Sequence, residues 1–159
     1  MPHSPNPAHL RRAIALAQEN ILAGRGGPFA AVIVRNGEIV AEGANSVTSS
    51  NDPTAHGEVN AIRNACRALG TFSLAGCEIY TSCEPCPMCL AAIYWARLGA
   101  IYYGSNQLDA AKAGFDDAFL YEEVRKENDG RSIPAQQLLQ AEAWAAFATW
   151  QTLPGKIDY

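Results

Sequence analysis

Residues 77–103 read CEIYTSCEPCPMCLAAIYWARLGAIYY, a strand pattern followed by a helix pattern and a second strand pattern. Apolar and polar side chains alternate over residues 77–81, which is typical of a half-buried strand. Pro85 then gives a helix-start signal, Gly99 gives a helix-end signal, and residues 100–103 form another strand-like run. This order predicts a strand–helix–strand unit.

Upstream of this unit, the sequence predicts one helix and one hairpin. Asn6-Pro7 gives a cap and first-turn signal for a helix over residues 7–23. Two β-branched runs, residues 29–34 and 39–43, are separated by Asn36-Gly37, the residue pair that suits a type I′ turn. We therefore expect two antiparallel strands after the first helix.

The segment between the hairpin and residue 77 carries a second helix pattern. Asp52-Pro53 is interpreted as its cap and first position, and Gly70 as its end. Strands thus alternate with helices, which predicts an α/β fold: a three-layer α/β/α sandwich around a mixed sheet. In such folds, ligands bind at strand ends and helix starts.

Composition favours one soluble globular domain over residues 1–159. The chain is 48% hydrophobic and 18% charged, and its net charge of −4 argues against a broad nucleic-acid footprint. The longest apolar run, residues 90–96, is too short to span a bilayer, and no signal-type block is present, so we expect a cytoplasmic protein that binds neither membrane nor nucleic acid. In a reducing compartment, five cysteines indicate metal binding or catalysis.

Three residues at two predicted helix starts form a candidate metal site. Cys86 and Cys89 are three positions apart and can present two sulfurs to one ion, and His56 adds a nitrogen from the neighbouring helix. Helix N-termini favour thiolates, which are the form of cysteine that binds zinc. Three such ligands hold Zn²⁺ and leave a fourth position for water, whose pKa falls so that hydroxide forms.

Glu58 is the candidate proton shuttle beside this metal. A carboxylate next to zinc-bound water can take its proton and return it to the substrate. Residues i and i+2 of a regular helix point in nearly opposite directions, so His56 and Glu58 converge only if His56 lies in the cap or first turn.

The pattern H-x-E followed by P-C-x-x-C is the signature of zinc nucleobase deaminases. His56-Gly57-Glu58 and Pro85 to Cys89 match it, and the chain resembles the cytidine-deaminase-like superfamily over residues 28–104. The resemblance implies a sheet of five strands and hydrolytic removal of an amino group from a nitrogen heterocycle.

From residue 45 to the end, the chain resembles the bacterial guanine deaminases within that superfamily. The resemblance lies in DPTAH (52–56), SCEPCPMC (82–89), IYWAR (93–97) and AGFDD (113–117), whereas Gly57 stands where the family commonly has alanine. It implies that zinc-bound hydroxide converts guanine to xanthine and ammonia.

The same resemblance assigns roles to residues outside the metal site. By it, Asn45 and Asp117 contact the purine edge, Phe29 stacks on the ring, and Tyr159 closes the pocket. A carboxylate such as Asp117 is also a suitable acceptor for the N–H groups of guanine. The family is dimeric, which implies a homodimer whose C-terminal segment, about residues 130–159, covers the site or crosses to the partner subunit.

Four questions stay open at this stage. Glu122 is either an aid to proton transfer or a solvent-facing helix residue. The substrate is alternatively guanosine or another nucleobase or nucleoside, including a tRNA adenosine or cytosine. Cys83 could complete a closed Cys3His zinc site. As an alternative of another class, the chain is a noncatalytic zinc-stabilised interaction domain with Trp144, Phe147 and Trp150 facing a partner.

Overall fold

A computed structural model describes residues 4–115 and 117–159, so Asp116 of the AGFDD motif lies outside the described residues. Its helices and strands are, in chain order, α1 (Pro7–Leu22), β1 (Ala30–Arg35), β2 (Glu38–Ala44), α2 (Val47–Ser50), α3 (Gly57–Leu69), β3 (Cys77–Cys83), α4 (Pro87–Trp95), β4 (Ala100–Ser105), α5 (Gln107–Lys112), α6 (Ala118–Arg125) and α7 (Gln140–Thr152).

The described strands form one mixed sheet in the order β2–β1–β3–β4. Strand β1 is antiparallel to β2 and to β3, whereas β3 and β4 are parallel, as the strand–helix–strand unit predicts. The β1–β2 turn has positive φ angles at Asn36 (53°) and Gly37 (83°), which is the type I′ geometry expected from that residue pair.

The expected number of five strands is wrong for the described residues, whose sheet has four. The chain turns into α5 directly after β4. The Asn106 side chain accepts a hydrogen bond from the Asp109 backbone N–H, and the Asp109 side chain accepts one from the Asn106 N–H. This capping box favours a helix at the point where the chain leaves the sheet.

The three-layer arrangement is confirmed. On one face of the sheet, α1 packs through Ala13 against Val32, Val34 and Tyr80. On the other face, α3 and α4 pack against the alternate side chains of the same strands; this larger cluster is Ala31, Ile33, Ala61, Ala65, Leu74, Cys77, Ile79, Ile93 and Ala96. The alternation of buried side chains along β1 and β3 thus supplies both cores.

Two helix starts lie further along the chain than expected. Asp52-Pro53 does not open α3, because the Asp52 carboxylate instead accepts hydrogen bonds from the backbone N–H and the hydroxyl of Thr54 in a turn. The helix begins at Gly57 with His56 as its N-cap, and α4 begins at Pro87 with Cys86 as its N-cap. The predicted cap of α1 is confirmed, since Asn6 accepts a hydrogen bond from the Ala8 N–H at 3.0 Å.

The described chain divides into two compact units, one ending at Tyr121 and the other spanning Glu122–Tyr159. The sheet, α1 and α3–α5 belong to the first unit. The second unit contains a 3₁₀ turn (Asn128–Gly130) and α7. Folding of residues 1–159 as one domain stays a prediction. Among the described residues, no helix has the length and apolar character needed to cross a bilayer.

Candidate active site

His56, Cys86 and Cys89 lie together at the N-termini of α3 and α4. The His56 Nδ1 atom is 3.6 Å from the Cys86 Sγ atom and 3.5 Å from the Cys89 Sγ atom. One ligand atom from each of the three side chains falls within 4.8 Å of the other two. The later helix starts produce this cluster, because two of the three ligands are N-cap residues that precede the regular helix.

The two sulfurs differ in their affinity for a proton. Hydrogen bonding from the Cys89 thiol, assisted by the His56 ring, lowers the pKa of Cys86 below that of a free thiol. Donation of that hydrogen bond to Cys86, together with burial, raises the pKa of Cys89. Cys86 is therefore the sulfur that ionises more readily, and a bound cation would displace the proton that the pair still shares.

These three residues fit a zinc ion. One imidazole nitrogen and two thiolate sulfurs are typical zinc ligands, and three protein ligands are the number found in catalytic sites that keep one position open. Cys83 ends β3, and its Sγ atom approaches the Asn106 carbonyl oxygen at 3.8 Å. Among the described residues, Cys83 is not a member of the ligand cluster, which argues against a closed Cys3His site.

Glu58 lies directly beside the ligand cluster. Its side chain is buried, with 5% exposure; one carboxyl oxygen accepts a hydrogen bond from the Thr81 hydroxyl at 3.3 Å, and the other is 3.5 Å from Cys89 Sγ. His56 has extended backbone angles (φ −72°, ψ 157°), so it meets the condition under which His56 and Glu58 converge. Burial raises the pKa of Glu58, which suits a group that must hold a proton during part of a reaction.

A cavity of about 640 Å³ opens onto these residues within the first unit. Its lining includes the candidate ligands His56 and Cys86, the candidate shuttle Glu58, and three of the residues assigned to purine binding: Phe29, Asn45 and Asp117. The structure thus brings together, from separate elements, residues that were predicted from the sequence to share one site.

One wall of the cavity is aromatic. The rings of Phe29 and Phe115 meet edge to face, with centroids 4.8 Å apart and an interplanar angle of 85°. Phe115 belongs to the AGFDD motif but was not assigned a role from the sequence. Thr81 was also missed, although the alternation along β3 places it near the helix starts.

The structure gives a steric reason for glycine at position 57. A Cβ atom there would lie 2.8 Å from the Ala30 Cα and 3.0 Å from the Phe29 carbonyl oxygen. The first turn of α3, with His56 and Glu58, therefore rests directly on Phe29 and the start of β1.

Two assigned residues, Glu122 and Tyr159, belong to the second unit. The Glu122 side chain is 65% exposed and pairs with Arg125 on the same helix at 2.8 Å. Tyr159 is 75% exposed. A role for Glu122 in proton transfer and for Tyr159 in closing the pocket both stay predictions.

Residues 4–105 match the family model for the cytidine and deoxycytidylate deaminase zinc-binding region. The match covers both candidate ligand helices and the whole described sheet. The chain therefore belongs to this family of zinc-binding deaminases, and the nitrogen and two sulfurs at positions 56, 86 and 89 are the candidate ligands of its Zn²⁺.

Within that family, guanine deaminases match the chain over most of its length. It is 55% identical to guanine deaminase from Bacillus subtilis (strain 168) over 150 residues, which cover 94% of this chain and 96% of the relative. The crystal structure of the B. subtilis protein superposes with a TM-score of 0.94, covering 98% of this chain and 99% of that one.

Two further relatives are more distant. A guanine deaminase structure from Nitrosomonas europaea has a TM-score of 0.69 at 30% identity and covers 92% of this chain and 84% of that one. A tRNA-specific adenosine deaminase from Agrobacterium fabrum (strain C58) is 46% identical over 79 residues, which are 50% of this chain and 52% of the relative. The similarity to the tRNA enzyme is thus confined to half of each protein.

Proposed function

We propose that the protein is a zinc-dependent guanine deaminase that converts guanine and water to xanthine and ammonia. The observation that carries this proposal is 55% identity to a guanine deaminase over nearly the full length of both chains. It is supported by a cavity that joins a zinc-type ligand set, a buried carboxyl group and an aromatic wall.

His56, Cys86 and Cys89 would hold the zinc ion. When bound, zinc supplies a Lewis acid that lowers the pKa of water and makes it a nucleophile at neutral pH. The role of the protein is to position these ligands, which the caps of α3 and α4 do through backbone geometry.

Glu58 would move both protons of the attacking water. The water oxygen forms a bond to C2 of guanine, and the bond from C2 to the exocyclic nitrogen breaks. Glu58 takes each proton in turn and delivers one to ring nitrogen N3 and the other to the departing amine, which leaves as ammonia. The hydrogen bond from Thr81 holds the carboxyl group in place while it performs both transfers.

Asn45 and Asp117 would read the polar edge of the purine. The Asn45 Oδ1 atom already accepts hydrogen bonds from the Gly27 and Val47 backbone N–H groups at 3.1 and 3.3 Å. Because the oxygen is already used, the NH2 group of Asn45 would donate to acceptors on the base, whereas the Asp117 carboxylate would accept from N–H donors of guanine. Phe29 would stack on the ring.

We further propose a cytoplasmic homodimer in which the C-terminal segment exchanges between subunits and Tyr159 closes the pocket. Its support is the family resemblance and the apolar surface of α7, where Trp144, Phe147 and Trp150 are all exposed in the single chain. Subunit interfaces commonly bury surfaces of this kind. Light scattering of the purified protein across a concentration series measures the dimer directly.

The alternative functions lack comparable support. A tRNA substrate requires basic surface, whereas the net charge is −4, and the similarity to tRNA adenosine deaminases covers 49–69% of the chain against 94% for the guanine deaminase. A noncatalytic zinc domain gives no reason for a buried carboxyl group beside the ligand cluster.

Ammonia release from a panel of substrates tests the proposal. Guanine, guanosine, adenine, cytosine and tRNA are incubated separately with the zinc-loaded protein, and xanthine is identified as the product by chromatography. We expect turnover of guanine far above that of the other compounds. Ammonia from guanosine or tRNA but not from guanine would contradict the proposal, as would a zinc-loaded protein that releases none.

A further inference from the structure

Asn20 is a buried polar residue of α1 that has no part in the proposed chemistry. It is 2% exposed, and its side-chain NH2 group donates two hydrogen bonds, to the Gly27 carbonyl at 3.0 Å and to the Asn45 carbonyl at 2.8 Å. Both acceptors are backbone atoms of cavity-lining residues. A single amide thus joins the loop before β1 to the loop after β2, at the open end of the β1–β2 hairpin.

Further hydrogen bonds run within the loop before β1 and between the two loops. The Phe29 N–H donates to the Gly27 carbonyl at 2.9 Å, and the Asn45 N–H donates to the Phe29 carbonyl at 2.8 Å. The Asn45 side chain also accepts from the Gly27 N–H. Asn20 therefore completes a network whose other members include Phe29 and Asn45, the two residues proposed to stack on the purine and to read its edge.

A close backbone contact in the same network requires glycine. A Cβ atom at Gly26 would lie 2.2 Å from the Asn45 carbonyl oxygen. The loop thus lies tightly against Asn45 at the carbonyl that Asn20 also contacts. The side chain of Asn20 links both loops to α1, beside the backbone hydrogen bond from the Arg25 N–H to the Asn20 carbonyl at 3.2 Å.

We propose that Asn20 is a positioning residue for purine binding: it fixes the relative placement of the Phe29 wall and the Asn45 amide without touching the substrate. This proposal rests on the proposed function. If Asn20 is replaced by an apolar residue of similar size, the buried Asn45 carbonyl loses its side-chain donor. The half-buried Gly27 carbonyl keeps the Phe29 N–H as a donor, but the side-chain link between the two loops is lost. Substrate affinity should fall more than the rate of the chemical step, because Glu58 and the metal ligands lie on α3 and α4.

The experiment compares Asn20→Leu with the wild-type protein and with Asn64→Leu. Asn64 is a matched control, since it also donates from a helix to a strand carbonyl, that of Glu42, at 2.8 Å, but it is exposed and outside the lining of the purine cavity. For each protein, we measure zinc content, kcat and KM for guanine, and the Kd of hypoxanthine, a purine without the 2-amino group. The direct binding measurement is needed because KM equals a dissociation constant only when chemistry is slow.

We expect Asn20→Leu to keep its zinc, to raise both KM and the hypoxanthine Kd by about tenfold or more, and to change kcat much less. Asn64→Leu should leave all of these values unchanged. Asn20→Ser, which keeps one donor, should fall between the wild type and Asn20→Leu, and it replaces Asn20→Leu if the latter does not fold.

Three results would overturn the proposal: an unchanged KM and Kd in the folded variant, a fall in kcat with unchanged binding, or an equal loss of binding in Asn64→Leu. Wild-type protein that binds hypoxanthine but does not deaminate guanine would instead refute the proposed function. The binding comparison among the variants then still decides the role of Asn20.

Discussion

The Oε2 atom of Glu58 lies 3.5 Å from the Sγ atom of Cys89, so the buried carboxyl group is adjacent to a candidate metal ligand. Its other oxygen is held by the Thr81 hydroxyl. A carboxyl group in this place either binds the metal or moves protons next to it, and the two roles have different experimental consequences.

Glu58→Gln separates these roles. Glutamine keeps the shape of the side chain and an oxygen acceptor for Thr81, but it cannot exchange a proton. We expect zinc content to stay near that of the wild type, whereas kcat for guanine falls by about 10²–10⁴-fold or more, the usual contribution of general acid–base catalysis. Metal analysis and a guanine assay on the same sample test this, and loss of zinc along with activity would show that Glu58 is a ligand.

Cys86→Ala and Cys83→Ala form a pair that tests the ligand assignment. Cys86→Ala removes one of three donors, so we expect it to lose zinc, activity and part of its thermal stability, because metal binding is coupled to folding. Cys83→Ala should keep its zinc, since the Cys83 Sγ atom is directed to the Asn106 carbonyl rather than to the ligand cluster. Equal zinc loss in the two variants would favour the closed Cys3His site.

Local signals explain why part of the fold can be predicted from the sequence and part cannot. Asn36-Gly37 favours a type I′ turn, and Asn6-Pro7 caps a helix, through contacts within a few residues. Asp52-Pro53 obeys the same cap rule, yet the Asp52 carboxylate is used by Thr54 in a preceding turn. A cap pattern therefore locates a helix start only to within about a turn. Here the difference matters, because the later start makes His56 the N-cap of α3 instead of a residue inside the helix.

The residues of the candidate site also divide into those that local sequence signals predict and those that they do not. The spacing of His56, Cys86 and Cys89 predicts a metal cluster because neighbouring helix starts bring the three residues together. Thr81 and Asn20 give no comparable signal, since a hydroxyl in a strand and an amide in a helix gain their roles only when another element packs against them. Tertiary hydrogen bonds of this kind are not encoded in local spacing.

Gly43→Ala tests how tightly α3 must pack on β2. A Cβ atom at Gly43 would lie 2.1 Å from the Ala61 backbone nitrogen and 2.5 Å from the Gly57 carbonyl oxygen, so the N-terminal turns of α3 must move away. We expect a loss of about 1–3 kcal/mol in the free energy of unfolding, as in overpacked cores, together with weaker zinc binding. Gly99→Ala is the matched control, because its nearest contact, the Cys77 carbonyl oxygen at 3.5 Å, is an ordinary one. Equal denaturation midpoints for the two variants would contradict this prediction.

Glu42→Gln tests an ion pair between α1 and β2. The Arg12 guanidinium contacts both carboxyl oxygens of Glu42, at 2.7 and 2.8 Å, and this hydrogen bonding lowers the pKa of the Glu42 carboxyl group. A lowered folded-state pKa means that the pair stabilises the fold above the unfolded-state pKa, near 4.3, and that this contribution is lost as the pH falls through the folded-state value. Because the pair is partly exposed, we expect the variant to be less stable at pH 7 by about 1 kcal/mol at most, with the difference vanishing in acid. Urea unfolding at several pH values measures this, and a difference that persists at the lowest pH would refute the ionic explanation.

Deletion of residues 156–159 tests the proposed closure of the pocket by Tyr159. These residues lie after the end of α7, outside any described helix or strand, and are exposed, so their removal should change the thermal unfolding midpoint little. If the terminal tyrosine covers the bound base, the deletion should raise KM for guanine and lower kcat, and Tyr159→Ala should reproduce most of the effect. Asp158→Asn is the control, because it alters only the weak contact with Lys156 at 3.9 Å and should behave as the wild type. Unchanged guanine kinetics in the deletion variant would show that the tail does not take part in turnover, whereas an equal defect in Asp158→Asn would assign the effect to charge rather than to the tyrosine ring.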